Sequence, residues 1–128
     1  MKLSQYQAIF SYNIADLILY ANSIGVALTF GEAYRPQSQQ YLYYYGKDLK
    51  MLNGSLELVN ARARSKTLNS KHKERLAVDF NFFINGELTY EHSLIDKLGK
   101  YWEDMDSRNR WGGNFSSFTD APHFEMNV

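Results

Sequence analysis

The amino-acid sequence predicts an α+β fold, a small antiparallel sheet with flanking helices, on three observations. Residues 5–22 and 92–105 repeat their apolar side chains at helical spacing. "RLAVDFNFFI" (75–84) has the composition of a strand and runs directly into Asn85-Gly86, a two-residue hairpin signal. Helical and hairpin-linked segments are segregated along the chain rather than alternating, which favours an antiparallel sheet over a parallel, doubly wound one. A chain of 128 residues is read as a single domain, 1–128.

Each element has its own local signal. Ser4 and Gln7 read as a capping box, and Ile9, Ile14, Leu17, Ile18 and Ala21 follow at roughly helical spacing until Gly25. "VALTF" reads as a strand leading into Gly31, and "RPQSQQYLYYYGK" as a short helix with Pro36 near its first turn and Gly46 at its end. Residues 47–70 show no clean period and are expected to form a long surface connection. After the 75–84 strand, "ELTYE" is the returning arm of a hairpin. In "HSLIDKLGKYWEDM", Leu94, Ile95, Leu98, Tyr101, Trp102 and Met105 share one helical face. "RWGGNF" reads as a turn and "HFEM" as the closing strand.

Formal net charge is zero, so no global field draws the chain to nucleic acid or to an anionic membrane. Locally, Arg62, Arg64, Lys66, Lys71, Lys73 and Arg75 face a single acid, Glu74, between Ala61 and Arg75, a stretch suited to an anionic ligand. Ten tyrosines and eight phenylalanines predict a ring-padded core or a ring-lined groove. There is no cysteine, which removes disulfides, thiolate metal sites and cysteine nucleophiles and leaves His, Asp and Glu as the metal donors. The first 23 residues break their apolar run with Ser, Gln, Asn and Asp, unlike a signal peptide or a membrane span, so cytosolic synthesis without membrane insertion is expected.

The chemistry concentrates in two stretches. In "SKHKERLAVDF" (70–80), Asp79 falls among apolar strand residues, sharing its face with Ala77, Asn81 and Phe83. On the strand alone, a half-exposed face looking at water accounts for it. An ionised carboxylate in an apolar sheet otherwise needs a partner or a metal. His72 can reach a shared ion with Asp79 if residues 72–75 turn back toward the strand. In "DAPHFE" (120–125), Pro122 biases Ala121 toward extended geometry and presents Asp120 and His123 from a stiff turn. Two histidines and one carboxylate make a zinc set with a fourth position open to water. A further carboxylate can take that water's proton, and Asp120 and Glu125 are both candidates. His92, at a helix start, has a hydrogen-bonding role as its simplest reading.

"SKHKERLAVD" resembles the Ser-x-His-(x)6-Asp motif of the zinc peptidases that cleave bacterial cell-wall peptides, the D-alanyl-D-alanine carboxypeptidases and dipeptidases and the phage L-alanyl-D-glutamate endolysins. "DAPHFE" is similar to their second motif, an acid three residues before a histidine. The resemblance spans roughly residues 30–126. It implies a Hedgehog/D-Ala-D-Ala peptidase-like fold, zinc held by His72, Asp79 and His123, and Asp120 as general base, an aspartate there being more like the endolysin branch. "GEAYRPQSQQ" resembles the segment whose arginine holds substrate and steadies the oxyanion, which implies that role for Arg35. Ser70 matches the serine of the first motif, with a substrate contact or a supporting bond as its role. "RWGGNF" matches a tryptophan-glycine segment, which implies that Trp111 lines the cleft as a substrate contact; on the residues alone, a tight turn packed by an aromatic ring accounts for it equally well. Many family members carry glycine at the position of Arg75.

The expected function is therefore that of a monomeric zinc endolysin acting on the peptidoglycan stem peptide, made in the host cytoplasm and reaching the wall after membrane permeabilisation. A D-Ala-D-Ala carboxypeptidase or dipeptidase is the nearest alternative. A non-catalytic zinc-containing wall-binding module, of the kind the Hedgehog amino-terminal domain suggests, has no need of Asp120. Single-stranded nucleic-acid binding is disfavoured by zero net charge and by the lack of aromatic residues between Ala61 and Arg75.

Overall fold

A computed structural model describes residues 1–128. The first helix, α1, spans Leu3–Ser23. Its entry is closed by Gln5, whose Oε1 accepts the Lys2 backbone N–H at 2.7 Å. The capping contact thus lies two residues ahead of the expected Ser4/Gln7 pair. Strand β1 (Val26–Phe30) follows, then α2 (Gln37–Tyr45), entered through Pro36 and ended at Gly46.

Residues 47–60, expected as an irregular connection, instead form a hairpin of β2 (Lys47–Leu52) and β3 (Ser55–Asn60). Its turn is Asn53-Gly54, with φ of 52° and 80°. Two successive positive φ values are the geometry that asparagine followed by glycine adopts most readily. The same pair at Asn85-Gly86 was legible because its strands are half-buried and alternate. Nearly every residue of β2 and β3 is exposed; the alternation of Leu49 and Met51, paired with Leu58 and Leu56, is brief and broken by Leu52 and Val59, which left it unread.

Strand β4 (Ala77–Ile84) is the centre of the molecule. β1 pairs antiparallel along one edge, while the other is shared between β5 (Glu87–Thr89) and β7 (His123–Met126). Beyond β7 lies β6 (Asn109–Trp111), a short strand within the segment expected to be only a turn. The sheet order β1-β4-β7-β6 is antiparallel throughout, as the α+β reading requires.

The alternation of β4 decides which face does what. Val78, Phe80 and Phe82 are buried against Phe10, Ile14 and Leu17 of α1 and against Ile95, Leu98 and Trp102 of α3 (Ser93–Met105). Rings dominate this layer: Trp102 meets Phe10 edge-on at 5.6 Å and Phe124 at 6.0 Å. With both helices on that side, the polar residues Asp79 and Asn81 face the opposite side. His92 caps α3, its Nδ1 accepting the Leu94 N–H at 3.0 Å, which fulfils the simple reading of that histidine.

Candidate active site

Asp79 and His123 are direct cross-strand partners on β4 and β7. The Asp79 N–H donates to the Glu32 carbonyl and its own carbonyl accepts from the Gly31 N–H, both at 2.8 Å on the β1 side. Asp79 therefore spends neither backbone group on His123. An antiparallel pair without mutual ladder bonds is the kind whose side chains approach most closely.

His72 arrives by a different route. Lys71–Glu74 is a single 3-10 turn, and Ser70 caps it by accepting the His72 N–H on Oγ at 3.2 Å. Arg75 ends the turn in the left-handed conformation, φ 56° and ψ 36°. That is the reversal the spacing between His72 and Asp79 calls for. It brings the Leu76 N–H back to the Lys71 carbonyl at 3.0 Å and delivers His72, buried, over β4. A conformation that glycine reaches without steric cost accounts for the family preference at this position. The Arg75 side chain does not enter the site; its guanidinium lies over the Tyr34 ring at 3.9 Å.

The three donors converge. Asp79 Oδ1 lies 3.2 Å from His123 Nδ1 and 3.4 Å from His72 Nε2, and one ligand atom from each residue falls within 4.8 Å of the others. A tetrahedral cation bonded at ~2.0–2.2 Å separates its ligand atoms by ~3.3–3.6 Å; both distances to Asp79 match that spacing, and the two imidazole nitrogens, within 4.8 Å, need only a small approach to meet it. The far nitrogens of both imidazoles are already committed. His72 Nδ1 lies 2.9 Å from the Ala33 carbonyl, which can only accept, so Nδ1 carries a hydrogen and Nε2 is the nitrogen that faces Asp79. His123 Nε2 lies 2.7 Å from Glu125 Oε1, and the other oxygen of Glu125 takes Arg110 Nη2 at 2.5 Å. Carboxylates that hold a histidine ring from behind fix both its orientation and its tautomer. Glu125 is thus tied behind His123, and of the two candidate bases Asp120 keeps the freer carboxyl.

Burial and pairing act on these groups in opposite directions. Burial raises the pKa of Asp79, but hydrogen bonds from His123 and His72, with their charges, outweigh it and hold the carboxyl well below its ordinary range. For His123 burial lowers the pKa, yet its bonds to Asp79 and Glu125 win and push it up to about 9. Glu125 is raised by burial and brought below its ordinary value by His123 and Arg110. Asp120 goes the other way: burial raises it, the Asp79 charge adds, and the cationic influence of His123, His72 and Arg35 offsets this only in part.

These directions set the pH dependence of the metal-free protein. The raised pKa of His123 contributes stability that is full below about 6.5 and is lost as pH climbs through about 9. The lowered values of Asp79 and Glu125 contribute stability present above their ordinary values of 3.8 and 4.5 and lost as pH falls. Chelator-treated protein should therefore lose on the order of 2 kcal/mol between pH 6.5 and 9, seen as a falling thermal midpoint. A divalent ion must displace the Nδ1 proton of His123, so its stabilising effect should be larger at pH 8 than at pH 6. A metal-free midpoint that stays flat over that interval contradicts the paired imidazolium.

The donor group sits in a cleft of about 300 Å³ whose lining includes Arg35, Ser70, Asp120 and the rings of Phe115 and Phe118. Arg35 is heavily braced. Its Nε donates to Glu32 Oε1 at 2.5 Å, Nη2 pairs with the same carboxylate, and Nη1 donates to Gln40 Oε1 at 2.9 Å and to Ser70 Oγ at 3.3 Å. Its backbone N–H donates to the His72 carbonyl at 3.1 Å, which ties this arginine to the 3-10 turn. Ser70 thus acts as a cap and a bridge to Arg35. Asp120 is held by its backbone: its N–H donates to the Gly112 carbonyl at 2.8 Å and its carbonyl accepts the His123 N–H at 3.0 Å. The chain passes so close to Gly112 that any Cβ there would overlap the Asp120 carbonyl.

Trp111 departs from expectation. Its ring is buried and does not line this cleft; Nε1–H donates to the Ala121 carbonyl at 2.8 Å, so it supports the turn that carries Asp120 and His123. Sequence reading also passed over Glu32 and Gln40, which brace Arg35 from three and five residues away, and Arg110, which reaches Glu125 across the pairing of β6 with β7. Phe115 and Phe118 were missed as well, and the high aromatic content was their one signal.

Comparison with known proteins agrees with this geometry. A family profile described as D-alanyl-D-alanine carboxypeptidase matches residues 63–126, half the chain, and that segment contains His72, Asp79, Asp120 and His123 but not Arg35. Among solved structures, the Serratia marcescens L-Ala D-Glu endopeptidase ChiX is similar, with a TM-score of 0.58 and 20% identity over 80% of this chain and 68% of that one. At that identity the likeness concerns the fold, and it agrees with the predicted α+β class. No curated protein sequence matches significantly. With half its length matched and both of the family's motifs brought into one cleft, the chain belongs to the D-alanyl-D-alanine carboxypeptidase family of peptidases.

Proposed function

We propose that the chain is a zinc-dependent peptidoglycan peptidase, a phage endolysin that cleaves the L-alanyl-D-glutamate bond of the stem peptide. The observation that carries this reading is a single carboxylate oxygen 3.2 and 3.4 Å from two imidazole nitrogens whose rings are tied back on their far sides. His72, Asp79 and His123 hold the ion. When bound, zinc supplies Lewis-acid polarisation of the scissile carbonyl and brings the pKa of a water toward neutrality. Asp120 takes the proton of the attacking water on a carboxylate oxygen and returns it to the leaving amine nitrogen. A carboxyl with a raised pKa gives up that proton less readily to bulk water and holds it for the amine. The Arg35 fork, kept rigid by Glu32 and Gln40, donates to the oxyanion. Residues 1–128 act as one monomeric unit, made in the host cytoplasm and reaching the wall once the membrane is permeabilised. No helix is long and apolar enough to cross a membrane.

The endopeptidase assignment draws on the aspartate at position 120 and on the activity named for ChiX. A D-alanyl-D-alanine carboxypeptidase is the second reading, favoured by the description of the matching family. Mass analysis of fragments released from purified peptidoglycan, with zinc and with chelator, separates them. New amino-terminal glutamate ends are expected, while release of single D-alanine residues supports the carboxypeptidase. Zinc-loaded protein that frees neither product ends the enzymatic proposal.

A further inference from the structure

The basic stretch between Arg62 and Arg75 does not act as one patch. Arg62 lines a separate hollow with Lys47 and Asp48, which Arg64 also borders, Lys73 Nζ donates to the Leu68 carbonyl at 2.9 Å, and Arg75 lies over Tyr34. Within the cleft, Arg35 pairs with Glu32, Arg110 with Glu125, and Lys71 with Glu74. Arg64 and Lys66 also line the cleft, and neither forms an ion pair. A cation that lacks an anion on the wall of a substrate cleft leaves that charge available to a ligand.

Their backbone is not loose. The Arg64 N–H donates to the Tyr43 carbonyl at 2.9 Å. Gln40, fully buried, donates from Nε2 to Ser65 Oγ at 2.9 Å and to the Thr67 carbonyl at 2.5 Å, clamping the residues on both sides of Lys66. The oxygen of the same amide accepts from Arg35, so one buried side chain sets the two free cations relative to the arginine of the site. Each cation is steered by a ring rather than neutralised: the Arg64 guanidinium lies 5.6 Å from the centroid of Tyr43 and Lys66 Nζ 5.4 Å from that of Phe118.

We infer that Arg64 and Lys66 form a subsite for a substrate carboxylate, and that through it the enzyme selects stem peptides with a free D-glutamyl carboxylate over those in which that group is a carboxamide. This rests on the peptidase reading above. In a γ-linked D-glutamyl residue the α-carboxylate hangs from the same carbon as the scissile nitrogen, so a peptide bound for cleavage carries its charge beside the reacting bond. Two monovalent cations match a single carboxylate. Asp79 and Asp120 on the same cleft disfavour a phosphate dianion.

The test uses the zinc-loaded full chain and two synthetic peptides, L-Ala-γ-D-Glu-L-Lys and its α-carboxamide. Wild type should favour the carboxylate in kcat/KM by about tenfold, mostly through KM, with the ratio shrinking as salt is added. Arg64→Gln with Lys66→Met should bring the ratio to about one with zinc content unchanged, and Arg64→Lys with Lys66→Arg should restore it. Equal use of both peptides by wild type overturns the subsite, as does a ratio that survives the neutral double substitution. If neither peptide is hydrolysed, the peptidase reading fails separately. Calorimetric binding of the same two peptides then decides the subsite: a carboxylate preference sustains it, and equal binding or no binding of both overturns it.

Discussion

Alanine in place of Asp120 is expected to lower peptidoglycan hydrolysis by about 10²- to 10⁴-fold while zinc remains bound at full stoichiometry. The two readouts separate because the residue does two jobs with different atoms. Its backbone links Gly112 to His123 and places the start of β7, and alanine keeps both of those bonds. Its carboxyl faces the cleft with a raised pKa, while Asp79, a few ångströms from both imidazoles, is driven down. Two carboxyls pushed apart in this way mark one for proton transfer and one for permanent charge. Metal analysis beside turnover checks the assignment: a fall in zinc content parallel to the fall in rate makes Asp120 a ligand and removes it from the base position.

Asp79→Asn should have the other large effect. The amide keeps the shape of the side chain and loses the anion that both imidazoles address at 3.2 and 3.4 Å. Apparent binding energies of about 10–16 kcal/mol shared among three or four ligands imply a loss of roughly 10²- to 10⁴-fold in metal affinity from one defective ligand. Hydrolysis at limiting zinc should vanish with it. The metal-free variant should also show a smaller alkaline decline in stability than the one described above, because His123 keeps Glu125 but loses Asp79 as counter-charge and its pKa is raised less. Competition titration with a chromogenic chelator measures the first effect and a pH series of melts the second. Wild-type zinc affinity in this variant rules out Asp79 as a metal ligand.

What was legible in the sequence follows from the range over which each signal acts. Asp79 stood out because β4 alternates and its neighbours Val78 and Phe80 are plainly apolar. His123 was readable because Pro122 stiffens the three residues that separate it from Asp120. Gln40 had no such context: it lies among tyrosines in α2, and its importance comes from Arg35, Ser65 and Thr67, the last two met only after a hairpin that had itself gone unread. Arg110 and Glu125 are likewise adjacent only through the β6–β7 register. Trp111 was assigned to the cleft on resemblance, whereas the direction in which a ring points depends on the strand it occupies, and β6 turns it into the core.

The pairing of Asp79 with His123 joins positions 44 apart in the chain. Contacts between distant segments close late in folding, because the loop between them must give up its freedom before any gain arrives. A nascent or partly refolded chain with β7 undocked offers the cation at most His72 and Asp79, a pair too weak to retain it. On the proposed zinc reading, metal uptake should time the last docking event: in a stopped-flow refolding experiment the metal signal should lag behind helix formation and coincide with the burial of Trp102 by Phe124, one residue beyond His123. On the zinc reading proposed above, the ion would serve as a clock for completion of the fold.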